Sequence, residues 1–133
     1  MSSRESAGRV MPEPVKGRIS VVGVCSSGKT TLVNGLRAQG YDARHCGQEH
    51  SYVPYMWQYI SRPEVLIYLD ASAEAVHVRR GSANTLTDLE EQRQRLVHAR
   101  EHCQIYVHTD ALDEEEVLLS VVQKLAALGL APR

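Results

Sequence analysis

Ile19-Ser20-Val21-Val22-Gly23-Val24-Cys25-Ser26-Ser27-Gly28-Lys29-Thr30-Thr31-Leu32-Val33 decides the reading of this chain. Ile19 to Val22 is a short buried-strand run. Gly23 to Thr30 matches G-x-x-x-x-G-K-[ST], the phosphate-cradling P-loop pattern, and Thr31 to Arg37 reads as a helix start. Strand, glycine loop and helix are the three parts such a loop needs. Glycines let the backbone approach closely and take angles that other residues avoid. The N–H groups of the loop and of the first helical turn then converge on an anion, and the helix dipole adds to the attraction. In that arrangement Gly23, Cys25, Ser26, Ser27 and Gly28 supply the cradle. Lys29 reaches β- and γ-phosphates, the Thr30 hydroxyl ligates Mg²⁺, and Thr31 holds an α-phosphate.

Working outward, strand and helix signals alternate. Strand 1 is expected over 18–24, with residues 1–17 a loose tail and 18–133 one domain. The first helix ends near Gly40, a C-cap residue. Tyr41 to Gly47 is a weak strand. Val65 to Asp70 is a second clear strand, apolar on both faces as a central parallel strand is. Ala73 to Arg80 reads as a short helix and Gly81 to Thr85 as a turn. Thr87-Asp88-Leu89-Glu90 resembles a capping box that opens a helix to about His102. Gln104 to His108 is a further strand. Leu112 to Leu128 is an amphipathic helix with Val117, Leu118, Val121, Val122, Leu125 and Leu128 on one stripe. Glu114, Glu115 and Glu116 fall in its first turn, where carboxylates suit the dipole. The expected fold is a three-layer α/β/α domain on a small, mostly parallel sheet of about four strands.

The chain has 133 residues and a net charge of −1, which invites neither nucleic acid nor an acidic membrane surface. The three cysteines, Cys25, Cys46 and Cys103, are odd in number and widely spaced, which points to a reducing, cytoplasmic setting. His45, Cys46, His50 and Cys103 lack the tight pairing of a zinc site. No segment reads as a membrane span or a signal peptide.

Two carboxylates compete for a place beside the Mg²⁺. Asp70 ends an apolar run, in the manner of a strand that delivers a metal-side carboxylate, and equally as a turn or cap residue. Glu49 lies in Gly47-Gln48-Glu49-His50-Ser51, just after the weak strand, whose C-terminal end shares the crevice with the loop. On the helix ending at His102, a step of about 100° per residue puts Arg93 and Arg100 within about 40° of Leu89, in the apolar stripe. An arginine there must pair with a carboxylate, snorkel, or clamp a ligand phosphate. Arg79 and Arg80 are similar candidates. Tyr52 to Ile60 holds three of the six Tyr and the sole Trp of a chain without Phe, as a pocket lining, a core segment, or a surface for a protein partner or homodimer. No N-K-x-D occurs, so adenine is the default base and ATP the default nucleotide.

Three stretches carry a family resemblance: GVCSSGKTTL at 23–32, PEVLIYLDAS at 63–72 and CQIYVHTDALDEEEV at 103–117. Together the chain resembles the nucleoside and nucleotide kinase group of P-loop proteins, thymidylate-kinase-like and shikimate-kinase-like. The resemblance implies that 63–72 is the strand after the substrate region. It implies that the loop after the last strand brings Thr109, Asp110, Ala111 and Leu112 near the base. The chain departs from those kinases in two respects. It has no Asp-Arg pair, and the stretch of about 25 residues between Gly40 and Val65 is too short for their substrate-binding insertion. On the kinase alignment Asp70 is a strand-end residue and Glu49 takes the carboxylate role. The expected function is a Mg²⁺-dependent NTPase or small kinase, with Lys29, Glu49, Arg93 and Arg100 catalytic. The alternative is a slowly hydrolysing nucleotide-binding module that acts through a protein partner.

Overall fold

The computed structural model describes residues 13–24, 27–46, 62–72, 74–75 and 85–132, with side chains of the long middle helix from position 90 onward. Glu49, Tyr52 to Ile60, Arg79, Arg80, Cys25 and Ser26 lie outside the described residues, as does nearly all of the short helix expected after Ala73.

Four strands form one parallel sheet. They are β1 (Val15–Gly23), β2 (Asp42–His45), β3 (Pro63–Asp70) and β4 (Ile105–His108), in spatial order β2-β1-β3-β4. Three helices are described: α1 (Lys29–Ala38), α2 (Thr85–His102) and α3 (Glu114–Ala127). The two central strands are the two apolar runs seen in the sequence. β1 is buried from Ile19 to Gly23, and β3 at every position except Glu64. Edge strand β4 alternates instead, with Ile105 and Val107 buried and Tyr106 and His108 outward.

The alternation sorts side chains into two layers. Ile19, Val21, Ile67, Leu69, Ile105 and Val107 face α1 and α3, where Leu32, Val33, Leu36, Val117, Val121 and Leu125 complete the cluster. Val22, Val24, Leu66 and Tyr68 face α2 and pack with Leu96 and Ala99. The result is a small three-layer α/β/α domain.

Several boundaries differ from the sequence expectation. β1 starts at Val15, because Val15 N–H donates to Arg62 O at 2.8 Å and the register with β3 shifts between Val15 and Ile19. That irregularity lets the strand continue through Lys16 and Gly17, which carry no strand-like apolar signal. α2 opens two residues before Thr87, so Thr87 lies within its first turn rather than at its cap. α3 starts after Asp113. Asp113 Oδ1 accepts from Glu116 N at 2.8 Å, and Glu116 Oε1 accepts from Asp113 N at 2.9 Å. This reciprocal capping box shuts Leu112 out of the helix.

α1 and α3 end alike. Tyr41 N–H donates to Leu36 O, and Leu130 N–H to Leu125 O, each with a left-handed glycine (Gly40, Gly129) in between. The chain reversal at the end of α3 leaves Leu128 half-exposed and turns Leu130 onto the core in its place. No helix among the described residues is long and apolar enough to cross a membrane.

Candidate functional site

The loop from Gly23 to Thr30 leaves the end of β1 beside the end of β3, since Gly23 pairs with Leu69. A Cβ at Gly23 would run into the Leu69 carbonyl oxygen, so only glycine fits there. Gly28 is the N-cap of α1 at φ 97°, a backbone angle that side-chain-bearing residues avoid, and no side chain caps the helix. No acidic residue stands in the first turn either. The amide groups and positive dipole end of α1 are therefore left for something else to satisfy.

Lys29 is buried and folds back over the loop. Its Nζ donates to Gly23 O at 2.9 Å and Val24 O at 3.1 Å. Thr30 and Thr31 are exposed on the first turn of α1. Ser27 is 3% exposed, and its Oγ has no hydrogen-bond partner among the described residues. That oxygen packs beside Gly23 at the base of the loop.

A cleft of about 720 Å³ opens beside this loop. Ser27, Gly28 and Thr31 form one wall. Thr109, Leu112, Asp113, Glu114 and Glu115 come from the turn between β4 and α3, together with Val117. Two of the three sequence segments singled out above thus meet across one cavity. Leu112 lines it. Asp110 does not, because its Oδ1 accepts from Ser72 N at 2.9 Å and ties the turn after β4 to the turn after β3. The three acidic residues of the wall are a finding beyond the sequence reading, which treated Glu114 and Glu115 only as dipole partners. Their signal was the short spacing between strand end and helix start, which forces the first turn of α3 to the sheet's C-terminal rim.

Asp70 lies at the end of β3, with its carboxylate already engaged. Oδ2 accepts the Tyr106 hydroxyl at 2.6 Å. Oδ1 accepts Ala71 N at 2.9 Å and lies 3.5 Å from Arg93 Nη2. Arg93 also donates to Ala71 O at 2.5 Å. The backbone oxygen of Asp70 takes both Thr109 N (2.9 Å) and Thr109 Oγ1 (3.0 Å). Arg100 lies over the Tyr106 ring at 5.0 Å from its centroid. Neither arginine lines the cleft.

The buried line of α2 runs through Gln92, Leu96 and Ala99 toward half-buried Cys103 just beyond its end, which leaves Arg93 and Arg100 on its shoulder and Val97 half-exposed. The sequence stripe was rotated because a hydrophobicity pattern gives little weight to glutamine and alanine.

Tyr106 was not singled out in sequence. It pairs in register with Tyr68, and the two rings stack at 5.7 Å. Tyr106 is 37% exposed, but its hydroxyl is turned onto Asp70. Lost hydration first, and the Asp70 hydrogen bond and charge second, push the phenol up to about 12. Burial, then Asp70, raises Tyr68 as well, and burial raises the Cys103 thiol. No three His, Cys, Asp or Glu residues are grouped to hold a metal among the described residues.

No protein-family model matches the chain, and no curated protein sequence matches it.

Proposed function

We propose that this is a compact P-loop protein that binds a nucleoside triphosphate together with Mg²⁺. One observation carries the reading. A helix N-terminus that no side chain caps, set off by the left-handed Gly28, opens onto a cleft of about 720 Å³ at the place where the glycine-loop pattern calls for a phosphate. In this reading the amides of the loop, those of Ser27 and Gly28 included, and of the first turn of α1 hold the phosphates. Lys29 exchanges the carbonyls of Gly23 and Val24 for phosphate oxygens, keeping its charge buried and paired throughout. Thr31 sits beside the α-phosphate and Leu112 packs on the base.

The residues present fit a nucleotide-borne Mg²⁺, a hard cation that takes oxygen donors and keeps several waters. Thr30 offers an exposed hydroxyl at the loop's end, and Glu49 remains the carboxylate assigned to that side by sequence. When bound, the ion neutralises charge on the β- and γ-phosphates. Asp70 serves in this reading as a clamp on Tyr106, Arg93 and the β3 turn. Arg93 and Arg100 hold that clamp in shape.

The engagement of Asp70 favours a second reading, in which hydrolysis is slow and the nucleotide regulates a protein partner through Tyr52 to Ile60. ATP or GTP with Mg²⁺ is titrated into the purified protein, and phosphate release is followed. Lys29→Ala is expected to weaken binding at least about a hundredfold, as loss of a buried charge on phosphate implies. Unchanged binding in that variant sinks both readings. Turnover that is lost in Glu49→Gln but kept in Asp70→Asn supports the enzyme, whereas binding without turnover supports the module.

A further inference from the structure

The end of α2 carries two histidines on one face. His98 and His102 are four residues apart, a spacing that on a helix sets one side chain over the other and is a known zinc-binding arrangement. Their rings are stacked, with centroids 4.1 Å apart and planes at 25°. His98 is partly buried and His102 exposed. Neither lines the cleft beside the glycine loop.

The pair is oriented as well as close. Nδ1 of His102 lies 2.8 Å from the backbone oxygen of His98. A carbonyl only accepts, so Nδ1 is the nitrogen that carries hydrogen, and in the neutral ring the lone pair belongs to Nε2. Metal-ligating histidines are held in this manner, one ring nitrogen donating to a carbonyl while the other faces the ion. Metal–nitrogen bonds of about 2.0–2.1 Å let one ion bridge nitrogens up to about 4 Å apart, which is close to the separation of the two rings. A cation is also welcome at the last turn of a helix, where the dipole is negative. The neighbouring arginines of the helix are engaged elsewhere. Arg95 Nη2 lies 3.4 Å from Glu91 Oε2, and Arg100 lies over the Tyr106 ring.

We propose that His98 and His102 form a two-imidazole site for a divalent transition metal of the nickel, copper and zinc group. Imidazole suits those ions, whereas Mg²⁺ takes oxygen donors. No third His, Cys, Asp or Glu is grouped with the pair among the described residues, so water completes the coordination. The site is independent of the P-loop reading.

The test titrates Ni²⁺, Zn²⁺ and Mg²⁺ into the whole reduced protein without nucleotide and follows the heat of binding. Ni²⁺ and Zn²⁺ should bind, and excess Mg²⁺ should not displace them. His98→Gln and His102→Gln should each weaken Ni²⁺ binding at least about tenfold, because the second donor of a tethered pair acts at high effective concentration. His45→Gln and Cys103→Ser should leave it unchanged. With Zn²⁺, the ring NMR signals of His98 and His102 should shift together. A His102 that only satisfied a carbonyl at the end of α2 would show none of this. The proposal is overturned if the wild-type protein binds neither ion, if binding is the same in both glutamine variants, or if it disappears in Cys103→Ser.

Discussion

On the α1/α3 side of the sheet, the core is a continuous apolar cluster running from Ile19 and Ile67 to Leu36 and Leu125, and it stops at a cleft. On the α2 side the apolar cluster is smaller, and the rim above it is closed by polar contacts among Asp70, Tyr106, Arg93 and Arg100. The first layer is stabilised by area removed from water, which is tolerant of direction. The second depends on a few bonds whose loss leaves buried polar atoms unpaired. The difference teaches where the fold leaves space. A rim held by specific bonds is filled, whereas a rim bounded by glycine backbone and an uncapped helix end is open.

The comparison can be broken from either side. The largest effect is expected at Ile67, which is fully buried among α1/α3 contacts. Ile67→Ala should cost about 3 kcal/mol in chemical denaturation, because surrounding side chains close the cavity only partly. Asp70→Asn should cost less, about 2 kcal/mol, since it removes a charge-assisted acceptor from Tyr106 and Arg93 but keeps the shape. A loss at Asp70 larger than that at Ile67 would reverse the ranking of the two layers.

The smallest effect is at Tyr106→Phe, about 1 kcal/mol at neutral pH for one hydrogen bond. Its sharper signature is in pH. The Tyr106 phenol ionises near 10 when unfolded and near 12 in the fold, so its contribution is complete below pH 10 and lost as pH rises toward 12. The wild-type protein should therefore lose stability more steeply than Tyr106→Phe across that interval. Parallel curves would remove Tyr106 from the closed rim.

The same contrast explains what could be read in advance. β1 and β3 announced themselves because central parallel strands are apolar on both faces, and the glycine loop because a close backbone approach excludes side chains. The buried line of α2 was misplaced by its glutamine and alanine. The Asp70–Tyr106 bond joins residues 36 positions apart, and no local pattern records such a pairing. The capping box at Asp113 and Glu116 was present in the letters but hidden behind Leu112, whose apolar character suggested an earlier helix start. Leu112 lines the cleft instead.

The pairing of Gly23 with Leu69 has a consequence for biosynthesis. The glycine loop leaves the ribosome before the strand that braces its base, which is completed only at Asp70. A nascent chain shorter than that carries the whole loop sequence with one flank of β1 still unpaired. The loop's platform is therefore completed by a contact spanning a third of the chain, and that wall of the cleft must wait for β3 before it takes its shape.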